Sequence, residues 1–184
     1  MMARTKHVQT SPPLARGDCA SCGYPVATAS VARLQADFSL LPDRLSLAMT
    51  ELVTLGPNGQ AALSRWGSST STVLETLAHV ADTLSVMVVA LEQPNAASAA
   101  AIDAPLAVDP ALDARETVEV VARAAARLRS IASHPAAFDG RRLTHLWGRE
   151  ISLPELLRRA AHEGVHHLHE IELLLAKAVT PNNR

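Results

Sequence analysis

His162 and His166 stand four residues apart in the segment LLRRAAHEGVHHLHEIE, the spacing that stacks two side chains on one face of an α-helix and lets both converge on a single ion. Neutral imidazoles are good ligands for divalent zinc, and for nickel or iron with less discrimination. A lone helical histidine is ordinarily a surface or hydrogen-bonded core residue; it is the pairing that points to a metal. His169 continues the stripe and competes as a ligand. His167 is turned about 100° away and reads as lying outside the site. Glu163, turned by the same angle, reads as a base or, in preference, as a simple surface charge. On an earlier helix His79 lies off the apolar stripe, on a flank shared with Glu75, Asp82 and Val86, where a neighbouring helix could bring it opposite the pair.

A second candidate is Cys19-x-x-Cys22-Gly23. This pattern folds as a knuckle that turns both sulfurs toward one ion, but a closed structural zinc site takes four ligands and the chain has only two cysteines. His7 or His145 could complete it; a redox-active pair or an unmetallated turn are the other readings. Residues 162–166, HEGVH, also match the zincin pattern in which two histidines bind zinc and the intervening glutamate activates water. The longer metzincin pattern asks for Gly at position 169 and His at 172, whereas the sequence has His169 and Glu172. The protease reading therefore lacks its third ligand, and no strands are evident to hold an extended peptide.

The elements that must position these groups read as helices. Val31, Leu34, Phe38, Leu41, Leu45, Leu47, Met49 and Leu52 broadly follow helical spacing over about 28–55; Pro42 is placed to bend this helix, and Gly56-Pro57-Asn58-Gly59 stops it. Thr72 and Glu75 have capping-box spacing ahead of Leu74, Leu77, Ala78, Ala81, Leu84, Val88 and Leu91. Helix three covers about 112–132. Helix four opens with Ser152 and Glu155 in capping-box spacing, with Pro154 in its first turn, and runs to about 178. Between helices two and three, residues 93–110 are rich in Pro, Ala and Ser and read as a long connection. The expectation is an all-α four-helix bundle over 28–180, preceded by the Cys-x-x-Cys-Gly element at 18–27 and a disordered leader at 1–17.

A chain of 184 residues that is 48% hydrophobic is intended to bury one substantial core. A net charge of −1 and 3% aromatic content supply neither the cationic surface nor the stacking platforms of a nucleic-acid binder. The leader has no continuous apolar stretch of the signal-peptide kind, and no apolar run approaches the length of a membrane span. Two closely spaced cysteines fit a reducing compartment. The cytoplasm is the expected location, and a homodimer is compatible with this composition.

The order and spacing of a capped helix bearing a first histidine, STSTVLETLAHVAD, and a last helix with an H-x-x-x-H pair resemble the DinB-like metal-dependent family. The opening CASCGYP and the Leu41-Pro42 step in helix one resemble its actinobacterial branch of mycothiol-dependent enzymes, the maleylpyruvate isomerases and thiol S-transferases. The similarity covers about residues 18–178. It implies a metal triad of His79, His162 and His166, with Asp82 either orienting an imidazole or simply solvated. It further implies mycothiol as the low-molecular-weight thiol and a small electrophilic substrate, with transfer or isomerisation as the reaction. A non-catalytic metal or small-molecule binding bundle is the alternative from a different class, and a metallohydrolase is a third.

Overall fold

The computed structural model describes residues 18–55, 73–92, 114–138, 143–146 and 149–179. They form an all-α arrangement of four long helices: α1 (Val31–Thr54), α2 (Val73–Glu92), α3 (Ala114–Ala132) and α4 (Leu153–Val179).

The starts of α1 and α4 are set by side chains. Ser30 caps α1, its Oγ accepting the Arg33 N–H at 3.2 Å. The helix begins at Val31 and not at Thr28: the N–H groups of Thr28 and Ala29 close a separate turn on the Pro25 carbonyl at 3.1 and 2.9 Å, and the first bond of the helix runs from the Leu34 N–H to the Ser30 carbonyl at 2.9 Å. The Ser152 Oγ accepts the Glu155 N–H at 3.4 Å at the head of α4, as the capping-box spacing predicts. Pro42 lies within α1, where it removes one N–H from the helical ladder.

Each helix buries one stripe. In α1 this is Leu34, Phe38, Leu41, Leu45, Ala48, Met49 and Leu52; in α4 it includes Leu156, Leu157, Ala160, Ala161, Leu168 and Ile171. Each large apolar side chain removed from water contributes about 1.5–3 kcal/mol, set against the conformational entropy lost on folding. α1 packs against α3 and α4, and α2 packs against the same two helices. Going round the bundle, the order is therefore α1, α3, α2, α4, with α4 lodged between α1 and α2. The pairs Arg158–Ala29 and Arg44–Glu172 join successive levels of α4 and α1, so these two helices run in the same direction. Gln35 reaches Ala132 and Arg129 reaches Ser39, so α3 runs opposite to α1. An Arg127–Glu92 ion pair ties α3 to the end of α2.

Two features were not anticipated. A short antiparallel hairpin, β1 (Leu143–Leu146) with β2 (Arg149–Ser152), pairs Leu143 with Ser152 and Leu146 with Arg149. It lies against α2 and α4 and adds Leu146 and Ile151 to the core; strands of four residues are too short to show a period of two. In addition, α2 has the length and apolarity of a membrane span, which qualifies the expectation that no stretch approaches one. Its Val73, Leu77, Val80, Ala81, Leu84 and Met87 are buried in the bundle.

The Cys-x-x-Cys-Gly segment packs onto the bundle, with Tyr24, Val26 and Ala29 in the core. Its turn is closed by the Gly23 N–H donating to the Cys19 carbonyl at 2.7 Å and the Cys19 N–H donating to the Tyr24 carbonyl at 2.8 Å. Gly23 sits at φ +69°, a left-handed conformation that glycine adopts without steric cost. Tyr24 donates its hydroxyl to Asp37 Oδ2 at 2.9 Å, while the Arg33 guanidinium both pairs with Asp37 and lies over the tyrosine ring. The leader, the connection at 93–110 and its neighbours, and residues 141, 142 and 147 lie outside the described residues.

Candidate metal centre

α4 carries two i, i+4 pairs, His162/His166 and Glu163/His167, offset by one residue. One residue of helix is a turn of about 100°, close to the angle between two neighbours of a helix in a four-membered bundle. The two pairs therefore face different partners: the first meets the N-terminal knuckle, the second meets α2.

Among the described residues, three groups bring one ligand atom from each member to within 4.8 Å of one another: Cys19, Cys22, His162 and His166; His79, Glu163 and His167; and His166, His167 and Glu170. The expected set of His79, His162 and His166 is thus divided. His162 and His166, with ring centroids 5.4 Å apart, join the two cysteines, and His79 stands against His167, with ring centroids 5.1 Å apart. His169 belongs to none of the three groups. His7 and the side chain of His145, considered as partners for the cysteines, lie outside the described residues.

The knuckle group is a mixed sulfur and nitrogen set. Cys19 Sγ lies 3.7 Å from His166 Nδ1. Burial pushes the Cys19 thiol up, but hydrogen bonds from the backbone at Cys22 and Ser21 outweigh it and hold this thiol below its ordinary value. Burial, with Cys19 alongside, pushes the Cys22 thiol up. Burial also lowers His162, keeping its imidazole neutral and its lone pair available. The Nε2 atom of His162 is buried without a hydrogen-bond partner, an arrangement that costs about 1–3 kcal/mol when nothing fills it. Four donors, two of them thiols, match a closed zinc site.

The α2-facing group has different chemistry. Burial and the neighbouring His167 lower the His79 imidazole, while Glu163 and Asp82 oppose the drop; His79 remains exposed. Burial alone would raise Glu163, but His167 beside it and the other surrounding imidazoles hold the carboxyl below its usual range. His167 shows the converse: burial opposes its charge, and the carboxylates of Glu163 and Glu170 outweigh burial and raise it. A site that stabilises a proton between two carboxylates is one that favours a cation. Its donors, two imidazoles and one carboxylate, are the three-ligand set of catalytic zinc sites that keep a position open.

Glu170 serves both groups. Its Oε2 is 2.7 Å from His167 Nδ1 and its Oε1 is 3.3 Å from His166 Nε2. Each imidazole thus turns one nitrogen to its ligand group and the other to the same carboxylate, the arrangement that fixes tautomer and ring orientation in metal sites. Glu163, His167 and Glu170, which the structure groups with these histidines, were not among the expected ligands. The second i, i+4 pair was visible in the sequence, as was a carboxylate four residues after His166 and three after His167; what could not be read was that α4 has a partner on each of two faces. No family model, curated protein or solved structure matches the chain.

Proposed function

We propose that this protein is a metal-dependent thiol transferase or isomerase of the DinB-like, mycothiol-using kind, acting on a small electrophile at an ion held by His79, Glu163 and His167. The observation that carries the reading is the donor set: three ligands, one of them anionic and one exposed, on the face of α4 that meets α2. A divalent ion there would lower the pKa of an incoming thiol in an open position and polarise a substrate carbonyl.

The chain's own residues perform the positioning. His79, kept neutral by partial burial, offers a lone pair at neutral pH. Glu163 supplies the single negative charge, so the loaded site retains net positive charge and favours a thiolate over a thiol. Glu170 accepts from His167 Nδ1, which leaves Nε2, the nitrogen 3.6 Å from Glu163, to face the ion. A reducing intracellular setting, where small thiols abound, fits this chemistry and forms part of the proposal.

The test is a thiol titration of the metallated protein. Adding mycothiol, or another cellular thiol, should release a proton and change the ligand-field spectrum of a cobalt-substituted sample, and His79→Ala should abolish the response. A protein that retains its ion and ignores every thiol offered would sink the transferase reading; the same donor set would then be assigned to water activation, the metallohydrolase alternative.

A further inference from the structure

The group formed by Cys19, Cys22, His162 and His166 is not used by the proposed reaction. We propose that it is a closed, tetrahedral zinc site that fastens the N-terminal turn to α4. This inference does not depend on the thiol chemistry assigned to the neighbouring group.

Three independent observations converge on it. First, the donors are complete: two sulfurs and two imidazole nitrogens within 4.8 Å of one another leave no coordination position for substrate or water. Second, the spacing is that of ligands sharing one ion. With Zn–S about 2.3 Å and Zn–N about 2.0 Å, the S···N edge of a regular tetrahedron is about 3.5 Å, against the 3.7 Å between Cys19 Sγ and His166 Nδ1. Third, His162 Nε2 is buried with no hydrogen-bond partner, an omission that a metal bond at this nitrogen would remove.

The surroundings support the same assignment. The Gly23 turn holds the two cysteines in a tight loop, Glu170 Oε1 lies 3.3 Å from the far nitrogen of His166, and the Tyr24 ring packs 5.9 Å from that of His162. Loading balances simply: one zinc ion replaces two thiol protons, which leave to solvent, and the two neutral imidazoles bind through their lone pairs. The resulting site is electrically neutral, which suits a partly buried location and contrasts with the net positive charge of the neighbouring site.

The experiment uses the full chain loaded with cobalt and, separately, with zinc. Cobalt-loaded wild type should show intense thiolate-to-cobalt charge-transfer absorption; His79→Ala and Glu163→Gln should keep it, and Cys19→Ser with Cys22→Ser should lose it. Because such a clasp can be required for folding, the wild-type chain provides the second arm. With zinc bound, both thiols should resist alkylation, and stripping the metal should accelerate their modification at least about tenfold. A wild-type cobalt sample without thiolate bands, or cysteines alkylated at the same rate with and without zinc, overturns the proposal. Loss of the thiol response in the previous test with these bands intact would remove the transferase reading alone.

Discussion

Replacing Glu163 by glutamine keeps the shape of the side chain and its capacity to hydrogen-bond while deleting its charge, so it isolates what the carboxylate does. Glu163 Oε2 is 3.6 Å from His167 Nε2. A unit positive charge at that nitrogen gains about 5 kcal/mol from the carboxylate at an effective dielectric of about 20, and about 1 kcal/mol in bulk water. The two side chains are 18% and 29% exposed, which places the pair between those limits; about 2–3 kcal/mol follows, or roughly 30- to 150-fold in ion affinity. The assay is a competition titration of metal-free protein against a chromophoric chelator, with circular dichroism to establish that the helices persist. Glu163→Gln should weaken one class of ion by that factor and leave the thiolate-ligated ion untouched. Unchanged affinity for every bound ion would refute the assignment of Glu163 as a ligand and return attention to a site shared by His79, His162 and His166.

Four further outcomes are expected. Gly23→Ala meets no atom within 4 Å of the added Cβ, so its cost is that of the left-handed backbone alone, about 1–2 kcal/mol, read from the midpoint of chemical denaturation. Gly164→Val should cost about 1–3 kcal/mol through overpacking, because a Cβ there would lie 2.5 Å from Leu41 Cδ2; the resulting drop in Tm should be partly reversed by Leu41→Ala. Burial and Asp37 push the sole tyrosine, Tyr24, above its ordinary value. Stability should therefore be undiminished by this group below about pH 10 and fall as pH rises past it, since only the unfolded phenol ionises there; Tyr24→Phe should remove this slope. Stripping metal should lower Tm, since an ion at about a hundred times its Kd stabilises the fold by about 2.7 kcal/mol.

The helices were legible because Leu, Val and Ala recur at helical spacing and because Ser152 announces the start of α4. The pairing of His162 with His166 was legible for the same reason, being a local property of one helix. The arrival of Cys19 beside His166, 147 residues away in sequence, was not, since nothing in Cys-x-x-Cys-Gly says on which face of a bundle the knuckle will lie. The clustering of Glu163 and His167 with His79 was hidden by an assumption of a single site: a turn of about 100° away from one ligand pair reads as pointing to solvent when only one neighbouring helix is considered, but α4 packs against two, α1 and α2. The hairpin escaped because four residues per strand carry too little pattern.

The contacts of Glu170 with both His166 and His167 have a consequence for how this helix can change. Each ligand pair fixes the azimuth of α4 against a different neighbour, and one carboxylate spans the angle between them, so a rotation that improved one set of contacts would spoil the other. The helical phase along this face is therefore fixed, and inserting a single residue between 163 and 166 would misdirect both pairs at once. A helix constrained in this way behaves less like a surface on which two sites happen to sit than like a shaft keyed at two angles. Loss of either key should appear as increased mobility of the other, measurable as faster amide exchange around Glu163 and His167 when the knuckle cysteines are replaced.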